Sequence, residues 1–244
     1  MGNVYLITGA SSDVGTALIE RLYKEGDIFI AQGSGDLKQL APLCQKYKGA
    51  VNTFDVNLAD AQSVDLFIAE VQKRFPLPTH IIHLPALRVI NTKFKAFDEA
   101  RFDFDLSVQV RSAVKICKAF LPQMAKAKKG RVLFMLTSYL VGVPPKNTAA
   151  YVMVKAMLGQ LAKSLAIEYA QYGITVNCVM PSMMETKFLA DTSDLIVQSA
   201  AEANPMKRNA RVEDVVPAME FLLSDNAGFI TGAVLPITGG SEML

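Results

Sequence analysis

Tyr151 and Lys155 stand four positions apart in Ala150 to Tyr172, a run whose apolar spacing predicts a helix, so both side chains share one helix face. A buried ammonium beside a phenol stabilises the phenolate, and such a pair can exchange a proton near neutral pH. Alone the pair is weak, because Tyr-x-x-x-Lys arises by chance and an ordinary surface pair is the commoner reading. Ser138 changes the weighing. It lies thirteen positions before Tyr151, just after the apolar run Val132 to Leu136. A strand ending there brings its hydroxyl to the carboxyl edge of a sheet, where doubly wound folds bind ligands. A second constellation is Thr8-Gly9-Ala10-Ser11-Ser12-Asp13-Val14-Gly15, directly after the first apolar run. Such a turn can seat a pyrophosphate on a helix N-terminus, with Gly9 for the tight turn and Gly15 for close helix–strand packing. It is neither G-x-G-x-x-G nor a P-loop. A plain strand-to-helix turn capped by Ser or Asp is an equal alternative.

These groups need a scaffold that brings distant chain segments together. Apolar runs at Val4–Thr8, Ile28–Ala31, Ala50–Val56, His80–Leu84, Val132–Leu136, Ile174–Met180 and Val234–Ile237 read as strands. Between them lie helical patterns, the longest at Glu99–Met124 and Ala150–Tyr172. The strand runs lack period-2 polarity, the pattern of a mostly parallel seven-stranded sheet buried by helices on both faces. The expected fold is a single doubly wound α/β domain of Rossmann type over residues 1–244, with no internal repeat or linker. Residues 182–209, rich in Met, Ser, Thr and Asn, read as a long loop with helical turns, and such insertions are often lids.

Composition excludes other classes. A chain of 244 residues with 51% hydrophobic and 20% charged residues is neither disordered nor fibrous. Its net charge of +2 gives no basic excess for nucleic acid or an anionic membrane. No apolar stretch reaches the roughly 18–20 residues of a spanning helix. The N-terminus has no secretory pattern, and Cys44, Cys117 and Cys178 are too far apart for a metal or redox motif. A cytoplasmic protein is expected. His80 and His83 sit three apart on a strand and point to opposite faces, so no metal site is expected.

In these residues, and in their order and spacing, the chain resembles the short-chain dehydrogenases/reductases from Val4 to Gly240, and among them the 3-oxoacyl-ACP reductases. The resemblance implies a dinucleotide on the Gly9–Gly15 turn, with Ser11, Ser12, Asp13 and Val14 around the pyrophosphate. It implies Asp55 and Val56 at the adenine, and Pro181, Met184 and Thr186 around the nicotinamide carboxamide. Ser138, Tyr151 and Lys155 match the family's catalytic set. In that role Tyr151 is the general acid, Lys155 lowers its pKa and holds the nicotinamide ribose, and Ser138 holds the carbonyl oxygen. Phe221-Leu222-Leu223-Ser224, Ile230-Thr231-Gly232 and Gly239-Gly240 match the family's C-terminal signature. The family's paired long helices imply a homo-tetramer.

Three positions depart from the family pattern. Asp13 replaces a glycine where a carboxylate would repel phosphate, and it is expected to turn outward as a helix cap. His83-Leu84-Pro85-Ala86 replaces Asn-Asn-Ala-Gly at the pocket brace, with His83 a packed, hydrogen-bonded substitute and Ala86 at the cofactor. The family's catalytic asparagine, which holds a water linking the lysine to solvent, falls on Gln109. These departures favour the alternative of a non-catalytic binding or assembly subunit, and the intact Ser138, Tyr151 and Lys155 favour the enzyme.

The second strand ends Ala31-Gln32-Gly33-Ser34-Gly35, with no acid to hold an NAD ribose and with Ser34 able to donate to a phosphate. NADP is therefore expected, with NAD the alternative, and Asp36 lies too late to read the ribose. The expected substrate is a small carbonyl or alcohol compound of apolar character. Its walls would come from Tyr139–Pro145 and Ser182–Ile196. Lys129 matches a base that docks acidic carrier protein in the 3-oxoacyl-ACP reductases, and Tyr172 stands where a second is expected.

Overall fold

Seven parallel strands run β1 (Val4–Thr8), β2 (Ile28–Gly33), β3 (Val51–Asp55), β4 (His80–His83), β5 (Gly130–Met135), β6 (Ile174–Pro181) and β7 (Val234–Ile237). They lie side by side in the order β3-β2-β1-β4-β5-β6-β7. The computed structural model describes residues 2–35 and 37–243, so Asp36, considered above for ribose reading, lies outside the described residues. The order reverses direction between β1 and β4, both of which end at one edge, Thr8 level with His83. That switch point opens a crevice at the carboxyl ends of the strands.

The apolar runs separate by alternation into two cores. Leu6, Ile30, Ile81, Val132, Phe134 and Val176 face one side of the sheet. There they meet α3 (Ala61–Arg74), α5 (Ser112–Ala127) and α6 (Ala149–Tyr169). Ile7, Phe29, Ala31, Ile82, Leu133 and Val179 face the other, packing on α1 (Asp13–Leu22) and α8 (Val212–Leu223). The inner strands, buried on both faces, need apolar residues at nearly every position and so show no polar alternation, whereas β3 at the sheet edge alternates, with Thr53 and Asp55 exposed.

Two segments, 99–124 and 182–209, differ from expectation. The helix expected over Glu99–Met124 forms as α4 (Glu99–Leu106) and α5, joined by a π-helical turn over Ser107–Arg111. A π turn leaves the regular i→i−4 ladder, and here His83 Nε2 donates to the Gln109 carbonyl at 2.8 Å, drawing on it from outside the helix. The short α2 (Ala41–Lys46) follows a 3₁₀ turn. Segment 182–209 is more ordered than a loop: it holds α7 (Asp194–Ala203), and Met184 bridges to Ala210. Among the described residues no helix is long and apolar enough to cross a membrane, and no cluster of three metal-ligating side chains occurs.

Candidate active site

At the end of β1 the chain turns sharply through Gly9, whose φ of +69° belongs to the left-handed region. A Cβ there would come 3.0 Å from the Pro85 nitrogen, and one at Gly15 would come 2.5 Å from the Ala10 carbonyl oxygen. These two positions let the turn press against β4 and let α1 start directly on it. The cap is Ser12, whose hydroxyl accepts from the Gly15 N–H at 3.1 Å.

Asp13 is therefore not the outward cap expected for it. It occupies the first turn of α1, lines the crevice, and reaches across to segment 182–209. The Lys187 backbone N–H donates to its Oδ2 at 2.8 Å, and the Lys187 ammonium stands 3.9 Å from its Oδ1. A cation from the far side of the crevice thus faces the carboxylate that would otherwise meet phosphate alone.

The crevice is a cavity of about 370 Å³. Ser12, Asp13 and Val14 line one end, Thr137, Tyr139, Tyr151 and Lys155 another wall, and Pro181 to Met184 with Thr186 to Leu189 the roof. Ala86 and Arg88 contribute from the loop after β4. Of the residues singled out in the sequence, Ser12, Asp13, Val14, Ala86, Tyr151, Lys155, Pro181, Met184 and Thr186 meet in this one space. Ser34, Asp55 and Val56 lie beside it at the ends of β2 and β3 rather than on its walls. Ser34 is exposed, and the Asp55 carboxylate accepts from the Gly35 N–H at 2.8 Å.

Ser138 follows β5 at the carboxyl edge of the sheet, as expected. It is buried at the start of a 3₁₀ turn (Ser138–Leu140) and is not among the cavity's walls, whereas its neighbour Thr137 is. The Thr137 hydroxyl sits by the Tyr151 hydroxyl and also receives the Tyr139 N–H at 3.4 Å. Met135, Leu136 and Thr137 line the cavity in succession, and the lining breaks off at Ser138, where the chain enters its 3₁₀ turn. No periodicity in the sequence singles out Thr137. A count back from Tyr151 does not register it.

Lys155 is 1% exposed and donates to the Met135 carbonyl at 2.9 Å. Its other two protons remain for a ligand. Burial pulls its pKa from the ordinary 10.5 down to about 8, against the opposing pull of the Asp105 carboxylate. The expectation that Lys155 lowers the Tyr151 pKa is not met in this arrangement. The ammonium lies 6.0 Å from the Tyr151 ring centroid, and burial pushes the phenol up to about 12, while the Thr137 hydroxyl pulls the other way.

Gln109 is fully buried but makes no hydrogen bond to Lys155. Its Nε2 donates to Asp105 Oδ1 at 2.5 Å, and its carbonyl is held by His83. His83 packs as expected. A carbonyl only accepts, so Nε2 carries the proton, and Nδ1 takes a hydrogen bond from the Thr8 hydroxyl at 2.7 Å. Asp105, Arg88 and Lys187 were not singled out by sequence, since charged side chains at such positions read as solvated surface.

The residues fit a dinucleotide. Two glycines hold a turn that side chains would fill, Asp13 is met by Lys187, and a buried lysine keeps two free donors beside a phenol. Comparison with known proteins agrees. Residues 9–242 match the family described as enoyl-(acyl carrier protein) reductase. The chain is 27% identical to the oxidoreductase UcpA of Salmonella typhimurium, over 99% of this chain and 95% of that one. It is 29% identical to the 3-oxoacyl-[acyl-carrier-protein] reductase of Escherichia coli, over 100% and 98% of the two chains. A gluconate 5-dehydrogenase from Burkholderia cenocepacia, solved with NADP and tartrate, shares the fold with a TM-score of 0.88 at 20% identity, covering 98% of this chain and 95% of its own. The chain belongs to the short-chain dehydrogenase/reductase family and is an NAD(P)-dependent oxidoreductase.

Proposed function

We propose that the protein uses NADPH to reduce an apolar ketone, in the first instance a 3-oxoacyl thioester, to the secondary alcohol. The observation that carries this reading is the convergence of Thr137, Tyr151 and Lys155 on one cavity that the Gly9–Gly15 turn also enters. The turn and α1 would hold the pyrophosphate, Lys155 the nicotinamide ribose, and Pro181, Met184 and Thr186 the carboxamide. When bound, the nicotinamide supplies hydride. Thr137 hydrogen-bonds the carbonyl oxygen and steadies the charge developing there, taking the role expected of Ser138. Tyr151 gives that oxygen its proton.

The preference for NADPH rests on Ala31 to Gly35, which carries no carboxylate to repel a 2′-phosphate, and on the exposed Ser34. The apolar substrate rests on Leu84, Val89, Tyr139, Met183, Phe188 and Leu189 around the cavity. Segment 182–209 acts as the lid, tied down by Asp13–Lys187 and by the pair that Arg88 on the wall makes with Asp191. Exposed Val114, Met153, Met157 and Ile167 on α5 and α6 support a homo-tetramer, because a free monomer would leave them wet. Light scattering giving four times the chain mass fits this assembly, and a monomer at micromolar concentration refutes it.

Fluorescence titration with NADPH and NADH tests the reading. Binding of NADPH, more tightly than NADH, is expected, and no binding of either at millimolar concentration overturns it. Turnover is then compared on acetoacetyl-coenzyme A and crotonyl-coenzyme A. Reduction of the first supports the carbonyl assignment, and reduction of the second alone moves the chemistry to the C=C bond named in the family's description.

A further inference from the structure

Asp105 is a buried carboxyl that the proposed chemistry leaves unused. It ends α4 one helical turn before Gln109 and is 7% exposed. Beside it lies a second cavity of about 50 Å³, walled by Asp105, Tyr151, Arg88, Arg101, Asp98 and Asn147. Tyr151, Arg88 and Val89 line both this cavity and the main one, so Tyr151 borders the substrate space and a second space whose walls are mainly apolar, from Ile90, Phe97 and Phe102, but carry the charges of Arg88, Asp98, Arg101 and Asp105.

The relay that the family resemblance implies at Gln109 is not formed here. That residue's carbonyl is engaged by His83, its amide nitrogen is spent on Asp105, and no donor among the described residues reaches its buried Oε1. A titratable group stands instead one turn earlier, held at 2.5 Å by the Gln109 amide. Resting on the oxidoreductase reading above, we propose that Asp105 is the proton-relay residue of this enzyme, passing protons between solvent and Tyr151 through the second cavity. It acts through Tyr151 and touches neither substrate nor cofactor.

The proton count closes. With hydride supplied to the carbonyl carbon by a bound nicotinamide, Tyr151 would give its hydroxyl proton to the oxygen. The phenolate takes a proton from the Asp105 carboxyl, and the carboxylate takes one from solvent by way of the second cavity. One solvent proton is consumed per alcohol formed, and oxidation runs the same path backwards.

The groups facing Asp105 suit a carrier. Burial raises its pKa above the ordinary carboxylate range, opposed by the Gln109 amide, Lys155, Arg101 and the Leu87 N–H. Its charge in turn raises the pKa of both Tyr151 and Lys155. Asp98 and Arg88 complete the charges around the cavity. A carboxyl held up by burial is protonated over a wider pH range than an exposed one and can lend that proton.

The isosteric variant Asp105→Asn keeps volume and a partner for Gln109 while removing the titration. With NADPH and acetoacetyl-coenzyme A, it is expected to lower kcat about ten- to a hundredfold and to raise the solvent deuterium isotope effect. Because the Asp105 charge also holds the Lys155 pKa up, the Kd for NADPH is read at roughly pH 6, where the Lys155 ammonium persists in both proteins, and there it is expected to stay within about twofold. In the protein without added ligand, carboxyl infrared difference spectra should show a protonated band titrating above the ordinary range and lost in Asp105→Asn. Formate should restore turnover to Asp105→Ala, which a merely structural role would not allow. Wild-type kcat, isotope effect and pH profile in Asp105→Asn would overturn the relay. So would loss of turnover together with NADPH affinity and melting temperature, without formate rescue. Wild-type protein that binds NADPH and reduces the thioester while Asp105→Asn does so equally well counts against the relay alone. Wild-type protein that does neither overturns the oxidoreductase reading and the relay with it.

Discussion

Asp13 on the first turn of α1 and Lys187 in the lid are joined across the crevice, by the Lys187 N–H at 2.8 Å and its ammonium at 3.9 Å. Removing the carboxylate in Asp13→Gly should release the lid and leave Lys187 for phosphate. NADPH affinity is expected to rise about tenfold, roughly half the Coulomb energy of one charge pair near 5 Å at an effective dielectric of 20. Limited proteolysis within 186–194 should accelerate. Because Lys187 is 70% exposed, global stability should move by no more than about 1 kcal/mol. Unchanged NADPH affinity in Asp13→Gly would mean the carboxylate never faces the phosphates.

The hydroxyl that meets the substrate oxygen can be assigned by a pair of variants. Thr137→Val keeps shape and loses the donor, and should lower kcat about a hundredfold, the usual scale for one donor to a developing oxyanion. Ser138→Ala, beneath the 3₁₀ turn, should cost less than about tenfold on the same scale. The reverse order of effects would return the role to Ser138.

Tyr151→Phe removes the proton donor and keeps the ring. Turnover should fall by about two to four decades while NADPH affinity holds. Turnover on acetoacetyl-coenzyme A that survives this change would disprove the acid assignment.

Lys155 carries a pH signature of its own. Burial brings its pKa down to about 8, so the ammonium is present below that pH and lost above it. NADPH affinity and reduction rate should therefore both fall as pH rises through about 8, and Lys155→Met should lower both at neutral pH and flatten the dependence. A Kd for NADPH constant across that range would exclude the ribose contact.

His80 and His83 make the fold acid-sensitive. Burial lowers them from 6.5 to about 4 and about 3 respectively, so both are neutral when folded and take up protons when unfolded. The unfolded chain then binds more protons below pH 6.5, and stability falls as pH drops from there toward 4. At pH 5 the loss is about 2 kcal/mol per histidine, because each tenfold excess of protonated over neutral imidazole in the unfolded chain is worth about 1.4 kcal/mol. Urea midpoints at neutral and mildly acidic pH measure it. A conservative His80→Asn substitution, which loses one of the two titrations, should reduce the slope by roughly half.

What the sequence by itself determined was local. The apolar runs of the inner strands specify buried parallel strands, because each residue on such a strand meets a core on one side or the other, while the edge strand β3 alternates. Gly9 and Gly15 specify a turn because any Cβ there collides with backbone. Tyr151 and Lys155 share a face because four residues make one helical turn. Only the tertiary structure decided the rest. Thr137 rather than Ser138 lines the cavity because the side chain's direction depends on how β5 leaves the sheet and enters its 3₁₀ turn. Asp13 meets Lys187 across 174 positions of chain, a pairing that spacing does not encode. His83 on β4 holds the carbonyl of Gln109 in the π turn, and one turn earlier Asp105 lines the same cavity as Tyr151. Periodicity reports which face of an element is buried, whereas the partner a buried charge finds is set by what the folded chain brings next to it.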